Sequence, residues 1–186
     1  EAGFGYVPED RHRRGLILDY SVADNLILGI HGKEPFAKRG MMRDDHAISE
    51  NAEHVIEQYD IRPPVPNQLA RSLSGGNQQK IVVGREFTQN PDLLLCAQPT
   101  RGVDVGAIEF IHKQVIAQRD QGAAVLLVSA ELDEILSLSD RIAVMYDGQI
   151  VSVMSADEVT EHKLGFLMLG GRLEDYEASE VNDHAK

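Results

Sequence analysis

The chain has 186 residues, 42% of them hydrophobic, and a formal net charge of -12 at pH 7. This length and composition suit one globular body with subdivisions, and the acidity argues against a nucleic-acid binder, which needs a basic face to displace counterions from phosphates. The longest apolar runs, such as Ala123 to Val128, are too short to cross a bilayer. Cys96, the single cysteine, sits inside an apolar run and reads as a buried structural thiol, and the seven histidines show no metal-ligand spacing, so no metal site is assigned.

In chain order, Gly5 to Val7 reads as a short strand stopped by Pro8, and Glu9 to Arg14 as a densely charged loop. Ser21 to Asp24 approximates a capping box, which predicts a helix from there toward Gly29. Residues 30 to 43 are polar, with glycine, proline and basic side chains, and are expected to form a loop. Between Asp44 and Tyr59, the positions Ile48, Ala52, Val55, Ile56 and Tyr59 make one helical apolar stripe; Pro63, Pro64 and Pro66 then forbid helix.

Ser74-Gly75-Gly76 precedes a run, Gln78 to Phe87, that can wind into a helix. Such a start leaves backbone N–H groups free and no side chain in the way of an approaching anion, although Ser74 or Asn77 could equally be an ordinary cap. Asp92 to Ala97 reads as a buried strand, and Gln98-Pro99-Thr100-Arg101-Gly102-Val103-Asp104 follows it. An amphipathic helix carrying Ile108, Ile111 and Val115 ends near Gly122, and Ala123 to Val128 is a continuous apolar strand of the parallel-sheet kind. Two helical turns from Glu131, a hairpin of Arg141–Tyr146 and Gln149–Met154 around Asp147-Gly148, and a helix capped at Ser155 and reaching about Leu169 complete the pattern. The acidic stretch from Gly170 to Lys186 reads as a frayed tail.

Leu73 to Lys80, an apolar strand, then Pro99 to Asp104 resemble, in that order, the signature helix, Walker B strand and D-loop of ATP-binding-cassette ATPases. Val7-Pro8-Glu9-Asp10-Arg11, Arg101 to Ala107 and Leu127 to Glu134 look like the second cassette of tandem-cassette subunits serving bacterial simple-sugar and nucleoside importers. The wording Ala97-Gln98-Pro99-Thr100 is closer to the nucleoside branch. The resemblance implies an α/β fold: a partial P-loop ATPase core with a mostly parallel sheet, a helical signature subdomain, and a C-terminal β-hairpin plus helix. Residues 1–20 would be a strand and coupling loop, 21–75 the helical subdomain, 76–170 the C-terminal half of the core and 171–186 the tail.

The same resemblance assigns roles. Ser74, Gly75, Gly76 and Gln78 would bind nucleotide in trans, against the phosphates held by a partner cassette. Gly102, Val103 and Asp104 would form the D-loop, and Glu9, Asp10 and Arg11 a loop touching transmembrane permease subunits. Hydrolysis in this class needs a lysine loop, a magnesium-holding aspartate, an adjacent carboxylate and a histidine. Here Ala97, Gln98 and Ala130 occupy the last three positions, and Glu9 stands where a glutamine is usual. Alanine can neither ligate nor donate, and an amide cannot take a proton at neutral pH. No Gly-x-x-x-x-Gly-Lys-Ser/Thr run occurs; Gly29-Ile30-His31-Gly32-Lys33-Glu34 has the wrong spacing.

The expectation is a cytoplasmic importer ATPase fragment, peripheral on the inner membrane face and hydrolytically degenerate. ATP and Mg2+ would be used in the assembled transporter, with none tightly bound to the isolated chain. Beginning at Glu1 inside a motif, the chain reads as part of a longer protein, and a sheet without its lysine-loop strand would expose edges that invite self-association. The alternatives are a working ATPase completed by an upstream part, a regulatory module for a small ligand or partner protein, and a DNA-repair ATPase head, which the acidic charge and the lack of coiled-coil heptads disfavour.

Overall fold

A computed structural model describes residues 3–38 and 42–176; expectations for 39–41 and 177–186 lie outside the described residues. The chain divides into two compact units, Glu1–Val128 and Ser129–Lys186.

In the first unit, strands β1 (Phe4–Val7), β4 (Leu93–Ala97) and β5 (Ala124–Val128) form a parallel sheet in the order β1-β4-β5. Around it lie α1 (Val22–Leu26), a two-stranded ribbon of β2 (Ala37–Lys38) and β3 (Met42–Arg43), α2 (Asp45–Gln58), α3 (Gly75–Phe87) and α4 (Val105–Asp120). α3 is the hub. It packs on β1, α1, α2 and α4, and its Ile81, Val82, Val83 and Phe87 are buried. Gly84 makes this crossing close: a Cβ there would lie 2.8 Å from Val55 Cγ1. α3 thus joins the helical part to the sheet.

Parallel register puts Phe4, Leu93 and Ala124 in one row and Tyr6, Leu95 and Leu126 in the next. Strand side chains alternate between faces, so these rows share one face while Val7, Leu94 and Cys96 point into the core on the other. The first face is uncovered: Phe4, Leu93, Leu126 and Val128 are all exposed. β5 is parallel to β4, and its residues alternate between exposed and half-buried. Among the described residues, β4 is the only strand paired with β5.

The second unit contains α5 (Leu132–Leu138), the antiparallel hairpin of β6 (Arg141–Tyr146) and β7 (Gln149–Ser155), and α6 (Glu161–Met168), around Ile142, Val144, Met154, Leu164 and Leu167. Asp147 and Gly148 both have positive φ, 47° and 74°, as a tight hairpin turn requires.

Several sequence expectations need correction, beginning with the loop expected over 30–43, in which β2 and β3 pair as a ribbon. α1 stops at Leu26, and the chain continues to Gly29 in turns, while the Asn25 amide is committed to Ile17 and the Ser21 carbonyl. α3 starts at Gly75, not Gln78, because Ser74 caps it. Residues Ala156–Glu158 form only a 3-10 turn; extended, β-branched Val159 interrupts the chain, and Thr160 Oγ1 caps α6 by accepting from the Lys163 amide at 3.2 Å. The start of the acidic tail is folded: Tyr176 is buried, its hydroxyl 3.2 Å from His162 Nδ1 and its ring 5.6 Å from that of Phe166.

Candidate functional site: the start of α3 and the loop after β4

Ser74 is exposed with its backbone extended, and its Oγ accepts from the Asn77 amide at 3.4 Å and from Asn77 Nδ2 at 2.9 Å. Gly75 and Gly76 occupy the first two helical positions, whose N–H groups α-helical geometry leaves without an intrahelical acceptor. Gly75 is half-buried and Gly76 buried. Both positions are too crowded for a side chain. A Cβ on Gly75 would lie 2.8 Å from Arg11 Nη2 and 3.0 Å from the Gly102 carbonyl; on Gly76 it would lie 2.7 Å from Asp104 Oδ2 and 2.9 Å from Ala107 Cβ.

Gln78 does something other than face outward. Its side chain is buried, with Nε2 donating to the Ala70 carbonyl at 3.0 Å and Oε1 2.8 Å from His12 Nε2. It therefore ties α3 to the segment before it and to the turn after β1. Asn77 Oδ1 accepts from the Arg62 amide at 2.7 Å, joining the same helix start to the proline-rich stretch.

The charged segment after β1 is folded, not a solvated loop. Asp10 caps a π turn over Arg11–Gly15, its Oδ1 accepting from the His12 and Arg13 amides, both at 3.1 Å. The Gly15 carbonyl at the far end accepts from Arg85 Nη1 at 2.7 Å. Arg11 turns toward the loop after β4, donating through Nη1 to the Arg101 carbonyl at 2.8 Å and through Nη2 to the Gly102 carbonyl at 3.1 Å. Burial holds the Arg11 guanidinium below the usual arginine range, with Asp10 acting in the opposite direction. Arg101 returns the contact by ion-pairing with Glu9.

Ala97 ends β4 opposite Val128, and Gln98 has a left-handed backbone, φ 49°, with its amide donating to the Val128 carbonyl at 2.7 Å. A non-glycine residue held there stores strain of the kind found where a strand feeds a functional loop. Gly102 follows with φ 67°, and Val103 and Asp104 lead into α4, which Asp104 Oδ1 caps by accepting from the Ala107 amide at 3.0 Å. Thus Glu9, Asp10, Arg11, Ser74, Gly75, Gly76, Gly102, Val103 and Asp104 lie around one junction of the first unit. Ala130 belongs to the second unit, exposed just before α5. Among the described residues, no group of three or more His, Cys, Asp or Glu could hold a metal ion. No described helix is long and apolar enough to cross a membrane.

The parallel sheet, the helix start facing a glycine turn and the intervening helical segment together make an ABC ATPase cassette fold. A nucleotide-free ATP-binding cassette from an ABC transporter superposes with a TM-score of 0.68, covering 88% of this chain and 65% of that chain at 24% identity. A dimeric ATP-binding cassette bound to ADP and Pi gives 0.68 over 82% of this chain and 62% of that one at 21% identity. In sequence, the chain is 51% identical over 170 residues to the guanosine import ATP-binding protein NupO of Bacillus subtilis, covering 91% of this chain and 33% of that protein. It is also 51% identical over 173 residues to the nucleoside import ATP-binding protein NupA of Lactococcus lactis, covering 93% and 34%. The glucose import ATP-binding protein TsgD13 of Haloferax volcanii is 42% identical over 171 residues, covering 91% and 31%. The chain is thus homologous to nucleoside import ATP-binding proteins, and it spans about a third of the length of these relatives. No protein-family model matches it.

Proposed function

We propose that this chain is the signature-bearing part of the second cassette of a nucleoside-import ATPase, acting in trans on ATP held by a partner cassette and hydrolytically degenerate in its own right. The observation that carries the reading is a contrast within one junction. The start of α3 offers Ser74 and the Gly75 and Gly76 amides, whereas Ala97 and Gln98, at the end of β4, supply neither a magnesium ligand nor a base.

Ser74, with the two glycine amides behind it, would meet phosphate. The helix end attracts anions through its unpaired N–H groups and its dipole. Gln78 serves this site indirectly by fixing α3 on Ala70 and His12. Mg2+ would be held by the partner's half of the composite site, with Glu9 to Arg11 facing the transmembrane permease on the inner face of the membrane. The uncovered apolar face of Phe4, Leu93, Leu126 and Val128 supports the reading that further sheet and helix of a longer cassette complete this core. The choice of nucleoside over sugar follows the relatives at 51% identity, which are named for guanosine and nucleoside import, against 42% for a glucose importer.

The test is made in the assembled transporter, at matched expression, with initial rates of guanosine uptake and ATP hydrolysis. Gly75→Asp fills the space beside Arg11 and Gly102 and sets a carboxylate against the incoming phosphate, so both rates are expected to vanish. The matching change in the other cassette's signature damages only the composite site made with Ala97 and Gln98, and a much smaller loss is expected. Equal losses would rule out the division of labour.

A further inference from the structure

The turn over Arg11–Gly15 lies between the start of α3 and the loop after β4. Arg11, from the turn after β1, bonds the loop after β4 and lies beside Gly75 at the start of α3. Its fork donates to two successive carbonyls, Arg101 at 2.8 Å and Gly102 at 3.1 Å, and the same Nη2 fills the space that a side chain on Gly75 would take. A planar guanidinium suits paired acceptors in a way that a single ammonium does not. The Arg11 Nε, buried, has no hydrogen-bond partner among the described residues, so the two carbonyls carry the tie.

The backbone that aims Arg11 is itself anchored on α3. Asp10 caps its turn, the His12 ring lies 2.8 Å from Gln78 Oε1 near the start of the helix, and the Gly15 carbonyl accepts from Arg85 Nη1 at 2.7 Å two turns further along. The loop after β4 reaches back through the Arg101–Glu9 ion pair. That pair is exposed on both sides and contributes little by itself. The two carbonyl bonds, in contrast, tie the Gly102 turn to Arg11, whose own turn is anchored on α3.

We propose that Arg11 is a positioning residue: it locks the glycine turn at Gly102 to the N-terminus of α3, so that residues 9–15, 73–78 and 98–104 answer a ligand at Ser74–Gly76 as one body. The proposal rests on the reading of that helix start as the ATP-facing end. Its consequence is that a disturbance at the 9–15 turn reaches the phosphate-facing amides and the Gly102 turn together, without passing through the core.

Hydrogen–deuterium exchange on the full-length protein assembled with its membrane subunits tests this, comparing wild type with Arg11→Ala and Arg11→Lys. Without nucleotide, Arg11→Ala is expected to raise exchange roughly tenfold in both 73–78 and 99–105, as loss of charge-assisted hydrogen bonds would, while 45–58 in α2 is unchanged. Arg11→Lys keeps the charge but lacks the planar two-pronged fork that matches the paired carbonyls, so 99–105 should remain faster than wild type. With ATP, wild type should slow in both segments and Arg11→Ala only in 73–78. A change confined to 9–15, or full rescue of both segments by Arg11→Lys, overturns the proposal. Absence of any ATP effect at 73–78 in wild type would instead remove the nucleotide reading, leaving the nucleotide-free comparison to judge the clasp.

Discussion

Asp104 and Gly76 fit together at a distance that admits no side chain on the glycine: Asp104 Oδ2 lies 2.7 Å from the point a Gly76 Cβ would occupy, while Oδ1 of the same carboxylate caps α4 at the Ala107 amide. The carboxylate cannot retreat without giving up its cap, and Ala107 Cβ closes the other side at 2.9 Å. Gly76→Ala is therefore expected to destabilise the chain by about 1–3 kcal/mol, the range for overpacking. Gly106 makes the contrast, since its Cβ would meet Asp104 Oδ1 at an ordinary 3.4 Å. Gly106→Ala should be neutral or stabilising by up to ~1 kcal/mol. Urea midpoints of the two variants check both signs.

The isolated chain should release no phosphate from ATP above background, because Ala97 and Gln98 offer no magnesium ligand and no base. Gln98→Glu alone should leave that result unchanged, since Ala97 still cannot ligate. A purified sample whose magnesium-dependent turnover disappears on Ser74→Arg would contradict this.

Tyr59 gives the chain an alkaline limit. It is 1% exposed, against Phe110 at 6.3 Å between ring centroids, and burial pushes its phenol up to about 12. In the unfolded chain the phenol ionises near its ordinary value of about 10. Above that pH the folded state binds more protons than the unfolded, so this contribution is intact below about pH 10 and falls as pH rises toward 12. Tyr59→Phe, which has no proton to lose, should show a shallower fall in thermal midpoint over that window. Identical slopes for the two proteins would refute the assignment.

The open sheet should make the isolated chain associate with itself. Leu126, 56% exposed on β5, belongs to an apolar face without a cover and to a strand with no second neighbour among the described residues. Sedimentation velocity is expected to show association that grows with concentration. Leu126→Lys, placing a charge on that face, should shift the distribution toward monomer. A monomeric wild-type chain across the accessible range would exclude the effect.

The elements and their order were legible in the sequence because they are decided locally. The helical stripe of Ile48, Ala52, Val55 and Ile56, the Asp147-Gly148 turn and the apolar runs of β4 and β5 each carry their own periodicity or turn chemistry. That Ala97 cannot ligate and Gln98 cannot take a proton was legible for the same reason: what a side chain can donate or ligate is a property of the residue type. Tertiary structure decided what those residues meet. Gln78 turned inward to Ala70 and His12, and Tyr176 was drawn from an acidic stretch onto Phe166. Arg11 reached Gly102, 91 positions away in the chain. Contacts at such separation are set by how α3 crosses the sheet, and no local pattern records that crossing, because burial and hydrogen bonding are settled only when distant backbone groups arrive together.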